Sequence, residues 1–243
     1  MTEPVTEPVI EPMPETLSEA LPEPAFLRAA RAYYDASAVD YAARFRDELD
    51  RKPQERALLA VFAESVRADG GGPVLEAGSG PGRITGYMAG LGLDVSGVDL
   101  SPRMVDVARK AHPDLRFDVG SMTALDREDD ALSGLVAWYS TIHIPDPQLP
   151  GVLAEFHRVL APGGHALLAF QIGDEPRRFA DPFGHEVSLD FHRRTPALMT
   201  ELLRIAGLEV HTSTVCEPEG SQSTQQAYLL ARKPARAQVQ AQG

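Results

Sequence analysis

Glu76-Ala77-Gly78-Ser79-Gly80-Pro81-Gly82 is the segment best suited to hold a ligand. Glycines at alternate positions permit a tight turn, and a ligand can approach their backbone with no Cβ in the way. A dinucleotide loop of the form G-x-G-x-x-G/A would place a small residue at position 83, where this chain has Arg83. The spacing fits a nucleoside ligand without a pyrophosphate. Asp99 follows Gly78 by 21 residues, at the end of the next apolar run. A carboxylate there can accept from both hydroxyls of a ribose, two adjacent donors on one edge.

His143 is the first candidate for proton chemistry. It follows an apolar run, Leu132–Trp138, by a few residues, and an ordinary imidazole titrates near neutral pH. It is either a general base or orienting residue, or a structural hydrogen-bonding partner. His185, Asp190 and His192 lie in a segment expected to form a wall over a substrate; the alternative is that the two histidines are exposed loop residues. Tyr33, Tyr34, Tyr41 and Phe45 offer rings and hydroxyls for a pocket, or pack on a sheet edge. Trp138 and Tyr139 border a ligand or fill the core. No grouping of Asp, Glu and His has metal-ligand spacing, so no catalytic metal is expected.

The elements that must position these residues follow from hydrophobic periodicity. Helices are expected over 25–34, 38–49 and 53–69, the last stopped by Gly70-Gly71-Gly72. Short apolar runs then alternate with helices. Strands are expected at 73–77, 93–98, 115–119, 132–138, 165–170, 208–215 and 225–232. Helices follow the glycine loop to 91, start at Ser101-Pro102, run over 147–160 and start again at Thr195-Pro196. This alternation means a mostly parallel sheet with helices on both faces.

The 243 residues carry 23 basic and 35 acidic side chains, a formal charge of −12. Glu3, Glu7, Glu11, Glu15, Glu19 and Glu23 precede the first basic residue, Arg28, so half of that charge lies in the first 24 residues. With six prolines this stretch is expected to be disordered, as is 234–243, around a body of 25–233. The acidic balance argues against a nucleic-acid partner. No apolar run reaches the roughly 18 residues of a membrane span. The amino-terminal residues lack a secretory pattern, and Cys216 is the single cysteine, so a cytoplasmic, reducing location is expected.

The glycine segment, Val98-Asp99-Leu100-Ser101 and Arg158-Val159-Leu160-Ala161-Pro162-Gly163-Gly164 together resemble the class I S-adenosylmethionine-dependent methyltransferases, in their small-molecule branch, over about 70–232. The resemblance implies an α/β, Rossmann-like seven-stranded sheet with an antiparallel last strand, and an N-terminal helical cap is expected over it. It implies S-adenosylmethionine as cofactor, with Glu76, Gly78, Gly80 and Gly82 beside the methionine part and Asp99 holding the ribose, and Leu100 is expected among the cofactor-binding residues. Gly120-Ser121-Met122 matches the segment bordering adenine, with Ser121 where many relatives have Asp. Trp138-Tyr139-Ser140-Thr141-Ile142-His143 matches the region between cofactor and substrate, and the relatives' acidic residue near its strand start is replaced by Ser133-Gly134. The expected reaction is methyl transfer to oxygen or nitrogen of a small molecule, with Tyr34, Tyr41, Tyr139, His185 and His192 in the acceptor pocket. A dinucleotide-dependent oxidoreductase and a non-catalytic cofactor-binding module are the alternatives.

Overall fold

A computed structural model describes residues 23–180, 183–219 and 222–235. Most of both expected tails lies outside the described residues; Glu23, assigned to the first tail, pairs with Arg31 at 2.6 Å.

The described residues open with one helix, α1 (Ala25–Phe45), where two were expected. The residues at the expected break, Asp35-Ala36-Ser37, include neither Gly nor Pro. The Ser37 hydroxyl bonds back to the Tyr33 carbonyl at 2.9 Å, so its polar group is satisfied within the helix. A 3₁₀ turn (Leu49–Arg51) leads to α2 (Pro53–Ala68), which has proline in its first turn.

The α/β unit then runs β1 (Val74–Ala77), α3 (Arg83–Gly90), β2 (Val95–Asp99), α4 (Pro102–Ala111), β3 (Arg116–Val119) and β4 (Leu132–Trp138). Ser101 caps α4, its hydroxyl accepting from the Met104 N–H at 3.1 Å. There follow α5 (Leu149–Val159), β5 (Leu160–Gln171), β6 (Arg177–Ala180), β7 (Ser188–Phe191), α6 (Pro196–Ile205), β8 (Glu209–Cys216) and β9 (Gln226–Arg232). β5 starts before the expected 165 because Pro162-Gly163-Gly164 forms an irregularity within it: Leu132 pairs with Leu160, then Gly134 with His165.

Seven strands form one sheet in the order β3-β2-β1-β4-β5-β9-β8. β9 runs antiparallel to both neighbours and the other pairings are parallel. Alternate residues of β4 face opposite layers. Leu135 and Ala137 pack with Leu153 and Phe156 of α5 and Met199 of α6. Val136 and Trp138 pack with Phe62 of α2 and Met88 of α3. Burial on both faces explains why β4 is continuously apolar over Leu135–Trp138. α1 lies against α4 and β7, covering the carboxyl-end side of the sheet. Among the described residues, no helix is long and apolar enough to cross a membrane.

The β6–β7 hairpin was not expected. Its two strands form a separate small sheet and have four residues each, too short to show a period.

Candidate functional site

The glycine loop joins β1 to α3 at the carboxyl edge of the sheet. Gly78 has φ +79°, and a Cβ there would lie 2.4 Å from the Ser140 Cβ. The Gly78 and Ser79 N–H groups donate to the Val98 carbonyl at 2.8 and 3.0 Å, tying the loop to β2. Asp99 is held by two backbone donors: Gly80 N–H to Oδ2 at 2.7 Å and Ser101 N–H to Oδ1 at 2.9 Å. Burial nevertheless pushes its pKa up to about 6. Glu76 is buried and accepts from the Thr85 hydroxyl, and burial pushes it up to about 8. A cationic or hydrogen-bond-donating ligand group would favour the charged form of each.

These groups share a cavity of about 110 Å³. Glu76, Gly78, Gly80, Asp99 and Leu100 lie on its wall, with Ser121 and Met122 from the segment after β3. Trp138, Tyr139 and His143 follow from the end of β4, and Tyr34 and Tyr41 come from α1. Gly82, expected beside them, is off the wall; a Cβ there would meet Phe117 at 2.7 Å, so this glycine serves packing.

A second cavity, about 360 Å³, adjoins the first. Tyr34, Tyr41, Arg83, Trp138 and Tyr139 line both. α1 adds Tyr33 and Phe45 to the second, and the β6–β7 hairpin adds Arg177, Phe179 and Phe191. His185 and His192, expected in the acceptor pocket, line neither cavity. His185 bonds Asp40 of α1 at 3.2 Å, and the His192 backbone N–H donates to the Ile142 carbonyl at 2.7 Å. The segment carrying them became a hairpin that turns Phe191, rather than its histidine neighbour, inward.

His143 ends a 3₁₀ turn (Thr141–His143) just beyond β4. Its Nε2 lies 2.7 Å from the Tyr34 hydroxyl, and its ring meets Phe191 edge-on at 4.8 Å. Burial lowers its pKa to about 3, so the imidazole is neutral at ordinary pH. The unfolded chain, at the ordinary 6.5, takes up that proton first. This group's contribution to stability is therefore present above pH 6.5 and lost as pH falls toward 3. Between pH 7 and 5 the native protein should lose about 2 kcal/mol relative to His143→Gln. Paired urea titrations check this. The difference between proteins is the required quantity, because Glu76 and Asp99 shift stability the other way. Parallel curves would show that His143 is not buried neutral.

Several site residues escaped sequence reasoning. Arg83 pairs with Glu48 at 3.1 Å through Nη2, while its Nη1 is buried without a hydrogen-bond partner. Arg194, buried between β7 and α6, donates to Asp146 at 2.7 Å and to the Thr141 carbonyl at 3.1 Å, fixing the turn that carries His143. Glu55 of α2 is buried beside Tyr228 of β9. The sequence held a signal for Glu55: it occupies the helical stripe of Leu59, Phe62 and Val66, where an apolar residue belongs.

The order of the seven strands, the reversed β9 and a ligand loop after β1 define the class I methyltransferase fold. Residues 74–164 match a family model described as a methyltransferase domain. The demethylmenaquinone methyltransferase of Renibacterium salmoninarum is 31% identical over 116 residues, which are 48% of each chain. The chain thus spans about half the length of the curated relatives it matches. Among solved structures, the 1,6-didemethyltoxoflavin-N1-methyltransferase of Burkholderia thailandensis, with bound 1,6-didemethyltoxoflavin and S-adenosylhomocysteine, superposes with a TM-score of 0.66. It is 24% identical, over 93% of this chain and 94% of its own. A DhpI complex with S-adenosylhomocysteine gives a TM-score of 0.68 at 24% identity, over 87% and 98%. Residues 74–164 thus match a methyltransferase domain, and the chain has the class I methyltransferase fold.

S-adenosylmethionine is the cofactor this family implies, and the residues present fit it. The first cavity combines a glycine-rich loop, two desolvated carboxyls and an arginine with an unpartnered buried nitrogen. An amino-acid-bearing nucleoside carries the complementary hydroxyls, ammonium and carboxylate.

Proposed function

We propose that the protein transfers a methyl group from S-adenosylmethionine to an oxygen or nitrogen of a small organic molecule. The observation that carries this is the common wall: Tyr34, Tyr41, Arg83, Trp138 and Tyr139 separate a motif-lined cavity from a larger aromatic one. The first takes the cofactor and the second the acceptor.

Asp99 accepts from the ribose hydroxyls. Glu76 faces the methionine ammonium and Arg83 its carboxylate. Leu100, Ser121 and Met122 border the adenine, and Gly78 and Gly80 leave room for the ligand. Bound in this way, the cofactor supplies a methyl group already activated by its sulfonium. The protein's remaining task is to orient the acceptor and exclude water. The α1 tyrosines and the hairpin phenylalanines enclose the second cavity for that purpose. His143, neutral and on the wall of the first cavity, acts on the acceptor through Tyr34, which it holds and which lines both cavities; its depressed pKa makes it a weak resting base.

Two measurements test the proposal. S-adenosylhomocysteine should raise the melting temperature and NADH should not; at 100 times its Kd, a ligand adds about 2.7 kcal/mol. A labelled-methyl screen over phenols, amines, thiols and carboxylic acids should then place label on oxygen or nitrogen. Stabilisation without transfer to any acceptor would favour a cofactor-binding module. Stabilisation by NADH alone would favour an oxidoreductase.

A further inference from the structure

We propose that Glu55, backed by Tyr139 and Tyr228, is the recognition point in the second cavity for a planar aromatic acceptor that presents a hydroxyl or N–H. This rests on the assignment of that cavity to the acceptor.

Glu55 is 4% exposed yet lines the second cavity. The Tyr228 hydroxyl donates to its Oε1 at 2.9 Å and the Tyr139 hydroxyl at 3.3 Å, with the two hydroxyls 2.7 Å apart. Both phenols converge on Oε1, and neither uses Oε2. The basic side chains acting on Glu55, Lys52 and Arg83, are paired elsewhere, with Glu219 at 3.3 Å and Glu48 at 3.1 Å. Among the described residues, no ion pair neutralises Glu55. A buried carboxylate with spare lone pairs calls for a donor, and the cavity is where a ligand can bring one.

The backbone reinforces this placement. Tyr139 has φ +52°, a left-handed conformation that a bulky residue adopts only under constraint. It brings the Tyr139 hydroxyl to Glu55 while the residue still lines both cavities. Trp138 lies 5.4 Å from the Tyr228 ring, and Tyr139 meets Tyr228 at 80°. These tilted and edge-on rings form an aromatic floor, and Phe179 and Phe191 add aromatic wall from the hairpin. Aromatic walls of this kind favour a flat ring between them. A site built around a hydrogen-bond acceptor discriminates against the analogue that lacks the donor.

The test uses the full chain saturated with S-adenosylhomocysteine, which cannot donate a methyl, and two probes of similar shape. Binding of 2-naphthol and 2-methoxynaphthalene is followed by ligand-observed NMR. The native protein should prefer the naphthol by about tenfold or more, in line with a hydrogen bond to a charged group. Glu55→Leu, which restores the apolar stripe of α2, should bring the two probes within about twofold of each other. Glu55→Gln keeps an acceptor for the tyrosines and should give an intermediate preference; it decides the matter if the leucine variant does not fold. Full preference in the folded leucine variant overturns the proposal. So does full preference in the glutamine variant where the leucine variant fails, and so does a native protein that binds both probes equally or neither. Calorimetry with S-adenosylhomocysteine alone is read separately. Its failure in the native protein strikes the methyl-transfer assignment, whereas the naphthalene pair, run without it, still reports on Glu55.

Discussion

Gly78→Ala should abolish measurable S-adenosylhomocysteine binding and lower stability by about 3 kcal/mol. Two costs combine. An L-residue in the left-handed region costs roughly 1–2 kcal/mol, and Gly78 sits at φ +79°. Forcing a methyl into a filled space adds about 1–3 kcal/mol. The new Cβ would fall 2.4 Å from the Ser140 Cβ and 3.3 Å from the Met122 Cε. Ser140 is poorly placed to retreat, because it is buried and its hydroxyl donates to the Ala77 carbonyl at 2.6 Å. Gly80→Ala is the matched control. Its φ is also positive, at +54°, but nothing lies within 4 Å of the added methyl, so only the conformational cost applies. Urea titration and calorimetry on both variants decide the matter. Equal stabilities would show that the loop yields and that close approach to Ser140 is unimportant.

Asp99→Ala should weaken S-adenosylhomocysteine binding by about 1.5–3 kcal/mol, the range for hydrogen bonds to a charged group, or roughly 10- to 150-fold. The fold should persist, because the Gly80 and Ser101 N–H groups stand at the cavity, where water can replace the carboxylate. The pH dependence gives a second check. Burial sets the ligand-free Asp99 at about 6, and the ionised carboxylate is the better acceptor for two hydroxyls. Native affinity should therefore fall as pH drops below about 6, while the alanine variant lacks that component. On stability the same shift acts in the opposite sense. The folded protein takes up this proton before the unfolded chain, whose value is 3.8, so ligand-free stability gains from Asp99 as pH falls from about 6. Unchanged affinity in Asp99→Ala would remove the carboxylate from the ribose site.

The strands and helices between Val74 and Leu160 were legible because each has a local cause. β4 is continuously apolar over its last four residues, α4 opens on Ser-Pro, and the glycines after β1 have little use but a turn. The placement of Asp99 beside that turn follows from the parallel pairing of β1 with β2. Less local features were harder to read. At the expected break in α1 no Gly or Pro interrupts the helix, and Ser37 satisfies its hydroxyl within it. The hairpin of β6 and β7 has no period to detect, and its folding took His185 and His192 away from the cavities. The intrinsic pKa of His143 favoured a base, but its burial against Tyr34 and Phe191 was not encoded nearby. Glu55 was visible as a charged residue in an apolar stripe, while its partners came from β4 and β9.

The insertion of β9 between β5 and β8 gives the two cavities different histories during synthesis. Domains begin to fold as they leave the ribosome, and the cofactor loop, Asp99, Ser121 and His143 all precede residue 150. Strand β8 pairs only with β9, so it must wait beside a gap until β9 arrives to fill the place next to β5. Tyr228 meets Glu55 across 173 residues. A nascent chain can thus contain every residue assigned to the cofactor before the floor of the second cavity exists. Closing that long-range contact is the kind of step that slows folding. Under the proposed assignment, the floor of the acceptor cavity is completed only after the cofactor residues have been made.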